Sequence, residues 1–130
     1  MTTEQNQYRE TSAGRHVMEA VYGPDFVAGM PTASTPAMQV TFDHLFGEIW
    51  SRPGLSVRDR RLLVIGATAA IGRADLIRIQ VTGALVNKEL TGDELREAVL
   101  HLNYYVGWGN GTAVSEGVEA ALAARKGEQP

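Results

Sequence analysis

The sequence predicts an all-α fold of about six helices. Apolar residues recur at three- and four-residue spacing along most of the chain, no segment alternates with the period of two that a strand requires, and glycine or proline punctuates the joins. The composition agrees: 130 residues with 44% hydrophobic and 21% charged positions have a globular balance and the size of one domain. Residues 11–126 are therefore expected to form a single helical domain, with a disordered lead at 1–10 and a disordered tail at 127–130.

The first helix is predicted from Thr11 to Tyr22, with Val17, Met18 and Val21 on one face, and Gly23-Pro24 ends it. Asp25 to Pro36 holds Gly29, Pro31 and Pro36 and reads as an irregular connector. Met38, Phe42, Leu45, Phe46 and Ile49 then mark a second helix, stopped by Arg52-Pro53-Gly54. A third begins at Ser56-x-x-Asp59, a start signal in which side chains satisfy free N–H groups of the first turn. From Leu62 to Ile71 it is apolar or small on every side, which predicts a fully surrounded position, and Gly72 closes it. The fourth runs from Ala74 to Val86 and is similarly broad. Thr91-Gly92-Asp93-Glu94 is a capping box, with Leu90 able to staple to Leu95, and it opens a fifth helix reaching Tyr105. The last helix is expected after Gly107–Gly111, with Asn110 or Thr112 as its N-cap, and ends near Arg125. Two helices apolar nearly all round are more than a chain this small covers alone, so a homo-oligomer is expected.

Several function classes drop out. A net charge of −3 supplies no field for a polyanion, so no nucleic-acid partner is expected. Without cysteine there is no disulfide, thiolate metal site or thiol redox chemistry. The three histidines show no metal-ligand spacing, and no metal is expected. Residues 1–9 lack an apolar signal core and the longest apolar run is too short for a bilayer, which predicts a cytoplasmic protein without membrane contact.

Two clusters carry candidate chemistry. Arg58, Arg60 and Arg61 crowd the first turn of the third helix, where the macrodipole is already positive. An acidic substrate whose carboxylate is held by one or two of these arginines with helix N–H groups accounts for them, with Arg60 and Arg61 as the substrate-binding candidates; so do ion pairs to Asp59, Glu48 or a neighbouring subunit. His101 shares a helical stripe with Glu94, Glu97, Tyr104, Tyr105 and Trp108. A histidine oriented by a carboxylate and walled by Tyr105 and Trp108 suits a general acid or base, although a surface or contact role fits the same spacing. Gln80, inside an apolar helix, must be hydrogen-bonded if buried. His16 and His44 show no partner pattern.

The run Gly47-Glu48-Ile49-Trp50-Ser51-Arg52-Pro53-Gly54-Leu55-Ser56, followed by Arg60, resembles the carboxymuconolactone decarboxylase family. The resemblance continues through Ala70-Ile71-Gly72-Arg73, Gly83-Ala84-Leu85-Val86-Asn87, the stretch Glu94 to His101 and Tyr105-Val106-Gly107. It places the chain in the branch without cysteine, related to alkyl hydroperoxidase D-type proteins. There the peroxidase branch has a C-x-x-C pair near Arg73 and Leu76, a Glu near Arg61 and a His near Gln80. The decarboxylase branch also shows His where this chain reads Ile77-Arg78-Ile79-Gln80-Val81. The resemblance implies a helical trimer or hexamer and a cofactor-free decarboxylase of a small lactone or keto acid from aromatic degradation. The alternative is an altered member that isomerises, cyclises or only binds a small oxygenated metabolite. On the decarboxylase reading His101 is the proton donor, Gln80 or Asn110 bonds the developing oxyanion, and Glu48 is the other candidate proton source.

Overall fold

The computed structural model describes residues 12–33 and 35–128, which contain seven α-helices, one π-helix and no strand. The helices are α1 (Ser12–Tyr22), α2 (Pro24–Ala28), α3 (Pro36–Val40) continuing into the π-helix Thr41–Ile49, α4 (Val57–Ala70), α5 (Ala74–Val86), α6 (Gly92–Val106) and α7 (Trp108–Glu128). The lead expected at 1–10 and the last two residues of the expected tail lie outside the described residues. Where the sequence suggested one domain, the chain divides into two compact units, one up to Val57 and one from Arg58.

In the first unit, Pro24 does not merely end a helix; it opens the short α2, because the first helical position needs no N–H. The expected connector is thus partly helical. Thr35 caps α3 by accepting from the Met38 N–H at 3.2 Å. The second predicted helix exists, but its backbone widens to five-residue hydrogen bonding, as in Trp50 N–H to Leu45 O at 2.9 Å. Phe42 and Phe46 are buried from this segment together with Met18, Val21, Val27 and Trp50. Phe46 stacks on Trp50 with centroids 6.0 Å apart and meets Tyr22 edge-on at 5.3 Å. Arg15 donates to the carbonyls of Val27 and Pro31, both at 3.1 Å, and its guanidinium lies 5.0 Å from the centre of the Phe42 ring.

In the second unit, Ile65, Ala69, Ile77, Val81, Ala84, Leu90, Leu95, Val114, Val118 and Ala121 form one buried cluster drawn from all four helices. The capping box is present: Thr91 Oγ1 accepts from Glu94 N–H at 3.1 Å, and Glu94 Oε1 accepts from Thr91 N–H at 3.0 Å. Leu90 and Leu95 join the same core, as a staple requires.

Two expectations are corrected here. Within the chain α4 is not fully surrounded: it buries the stripe Arg61, Ile65 and Ala69, while Leu63 is 63% and Ile71 65% exposed. The last helix begins at Trp108 rather than after Gly111, because Gly107 alone, at φ 87°, makes the break. Asn110 and Thr112 consequently lie inside the helix and bond backwards, to the carbonyls of Val106 (3.0 Å) and Trp108 (2.8 Å).

Candidate functional site

The arginines of α4 have separate fates. Arg61 is 0% exposed. Its Nε and one terminal nitrogen donate to the two Glu89 carboxylate oxygens at 3.0 and 2.9 Å, and its other terminal nitrogen donates to Gln80 Oε1 at 3.1 Å. Gln80, 5% exposed, is thereby the satisfied buried amide that the sequence required. Asn87 Nδ2 adds a bond to Glu89 at 3.0 Å. Arg61 thus pairs with Glu89, three residues past the end of α5, while Asp59, one of the partners suggested by proximity in sequence, pairs with Arg58. Nothing in local spacing announces a contact across 28 residues. Arg60 is half-buried on the same helix.

Arg58, the third member of the cluster, faces an open groove of about 370 Å³ lined also by Leu62, Leu90, Glu94, Glu97, Ala98 and His101. Its Nε donates to the Glu89 backbone carbonyl at 3.1 Å, and its terminal nitrogens lie 3.6 Å from Glu94 and 4.0 Å from Asp59. The Glu94 carboxyl is held below its ordinary range, first by the Thr91 N–H and then by the Arg58 charge. Leu62, Leu90 and Ala98 supply an apolar floor. His101 is exposed at the groove, with its ring 5.2 Å from that of Tyr105. The groove therefore offers one guanidinium, one imidazole, two carboxylates and a low-polarity surface. Arg58 belongs to the arginine cluster that the sequence offers for a substrate carboxylate.

The other candidates are spread out. Tyr105 is 78% and Trp108 57% exposed, and Trp108 packs edge-on against Tyr104 at 5.2 Å. Asn110 Nδ2 bridges the carbonyls of Ala70 and Val106, tying the first turn of α7 to the ends of α4 and α6. Glu48 belongs to the first unit, where it lies 3.0 Å from His44 Nδ1, a pair the sequence reading did not find. Among the described residues no group of three His, Asp or Glu side chains is arranged to hold a metal, and no helix is long and apolar enough to cross a membrane.

Residues 35–126 match the carboxymuconolactone decarboxylase family, and the chain belongs to it. It is similar to a 4-carboxymuconolactone decarboxylase of Acinetobacter baylyi, with 44% identity over 62 residues, 48% of this chain and 46% of the relative. The chain thus spans about half the length of that relative. It is also 30% identical over 111 residues to a nitrosuccinic acid decarboxylase of Metarhizium robertsii, covering 82% of this chain and 76% of the relative. Both relatives are carboxy-lyases by name.

Proposed function

We propose that the chain is a cofactor-free decarboxylase-like lyase acting on a small lactone or keto acid, and that the groove from Arg58 to His101 is its site. The observation that carries this reading is the presence of a cation and an imidazole over one apolar floor. In decarboxylation of a β-keto acid the C–C bond pair passes to an enolate oxygen, neutral CO₂ departs, and a proton must reach the carbon left behind. The guanidinium fork of Arg58 suits both carboxylate and enolate oxygen, so charge migrates across the fork instead of leaving it. His101 is the proton donor. Leu62, Leu90 and Ala98 give the substrate's carbon skeleton an apolar surface to rest on.

The second reading, an altered member that isomerises, cyclises or only binds its metabolite, draws on Gln80. An amide whose oxygen accepts from Arg61 moves no proton, and Gln80 stands where the resemblance calls for a histidine. We further propose a homotrimer or homohexamer, in which Leu63, Ile71, Leu100, Tyr104, Tyr105 and Trp108, all exposed in the single chain, supply apolar surface for subunit contact.

The test is CO₂ release from a panel of β-keto acids and lactone acids by wild type, Arg58→Gln and His101→Gln. Turnover by wild type that falls in both variants supports the first reading. Binding without CO₂ release transfers support to the second, and full activity in both variants removes the groove from the mechanism.

A further inference from the structure

Glu89 stands behind the groove without lining it, and on the reading above, which makes the groove the substrate site, we infer that the buried Arg61–Glu89 pair is a positioning device that holds the Arg58 guanidinium where a substrate carboxylate meets it. The Arg58 side chain is 43% exposed, and its terminal nitrogens approach Glu94 and Asp59 no closer than 3.6 and 4.0 Å. Exposed pairs that long do little to fix a side chain with so many rotamers. The short contact is Arg58 Nε to the Glu89 carbonyl at 3.1 Å, which leaves the two terminal nitrogens to face a ligand.

That carbonyl is only as steady as the turn that carries it. Helix α5 ends in a Schellman motif, in which the Glu89 N–H donates to the Ala84 carbonyl at 2.9 Å and the Lys88 N–H to the Leu85 carbonyl at 3.2 Å. Such a motif favours glycine at its left-handed position, yet Lys88 occupies it at φ 56°, where a Cβ is disfavoured. The turn is strained, and side chains supply the tie. Both Glu89 carboxylate oxygens accept from Arg61, Asn87 Nδ2 adds a third bond, and Arg61 is itself fixed by Gln80. A chain of bonds thus runs from Gln80 on α5 through Arg61 and Glu89 to Arg58, one turn before Arg61 on α4. The same pair also joins two walls: Leu62 follows Arg61, Leu90 follows Glu89, and both line the groove.

The test is the pair variant Arg61→Met/Glu89→Leu, which removes both charges so that neither is left buried alone, beside Arg58→Gln and the combination of all three changes. Each is checked for native helix content and molar mass. The first readout is hydrogen exchange at the Arg58 Nε–H, whose NMR signal is assigned by its loss in Arg58→Gln. It should be slow in wild type and as fast as that of an exposed arginine in the pair variant. The second is calorimetric affinity for paraconate, a stable lactone acid. Removing the pair should weaken paraconate by about three- to tenfold, the worth of one hydrogen bond, and should do nothing further once Arg58→Gln is present. A wild-type Nε–H that exchanges freely overturns the inference whether or not the pair variant folds or paraconate binds. So does an Nε–H indifferent to the pair, or an affinity loss of equal size with and without Arg58. If Arg58→Gln leaves paraconate affinity unchanged, the substrate-site reading fails and the inference with it, whereas an Arg58→Gln loss that pair removal does not reproduce sinks the inference alone.

Discussion

Arg61 presents two nitrogens to the two oxygens of Glu89, at 3.0 and 2.9 Å, from a position with no exposed surface. Such a pair is costly to break because the survivor is left charged and dry. Glu89→Ala should destabilise the protein by about 3–5 kcal/mol in urea unfolding. The double variant Arg61→Met/Glu89→Leu, which removes both charges, should recover most of that loss. A Glu89→Ala midpoint close to wild type would show that water reaches Arg61.

The capping box gives a second stability test. Thr91→Ala should cost about 0.5–2 kcal/mol by leaving an N–H of the first turn of α6 unbonded. Arg58→Ala on the neighbouring helix should leave the cap intact, and amide exchange at Glu94 distinguishes the two variants.

Acid should release one further contact. The Arg73 guanidinium hydrogen-bonds Asp75 at 2.9 and 2.6 Å and lowers its carboxyl from 3.8 to about 2. A lowered folded value means stabilisation that is complete above the ordinary aspartate range and lost as pH falls through about 2. Asp75→Asn removes this contribution, so its stability curve should lie below wild type at neutral pH and converge with it near pH 2. Parallel curves would deny the pair any role in folding.

Glycines of α7 should respond with opposite signs. A Cβ on Gly117 would meet Ile77 Cγ2 at 2.7 Å and the Ala74 carbonyl at 2.8 Å, and since the carbonyl is backbone it cannot step aside. Gly117→Ala should therefore cost about 1–3 kcal/mol. At Gly109 a Cβ meets nothing within 4 Å, so Gly109→Ala should stabilise by about 0.5–1 kcal/mol through helix propensity.

For catalysis, His101→Gln should lower turnover by about 10²–10⁴-fold, the range for a lost general acid. Trp108→Phe should cost less, since it alters only a neighbouring wall. Both comparisons require unchanged molar mass by light scattering, so that an effect through assembly is seen as such.

What was legible in the sequence is what local chemistry governs. Thr91 with Glu94 announces α6, Gly72 ends a helix, and the 3.6-residue pattern finds α4, α5 and α6 within a residue or two. The misses come from contacts that local pattern does not encode. Pro24 reads equally as a stop or a start, and the same Phe42–Phe46 spacing fits an α-helix or the wider π-helix. Five residues from Gly107 to Gly111 look like a loop until packing against α5 and α6 is known. In the groove, the shared stripe of His101 and Glu97 was readable because it lies on one helix. The partition of the arginines was not: what separates Arg61 from Arg58 is Glu89, brought in by the turn between α5 and α6.

Four glycines within the 21 residues of α7 make that helix a poor one by its own lights. At about 1 kcal/mol each relative to alanine, they outweigh what a lone segment of this length gains by coiling. Cut from the chain as a peptide, it should give the circular dichroism of a random coil. During synthesis it is also the last helix of the domain to leave the ribosome, so α5 and α6 must already stand as the mould against which it sets. The second unit therefore stays open at one face until α7 has emerged and docked against α5 and α6.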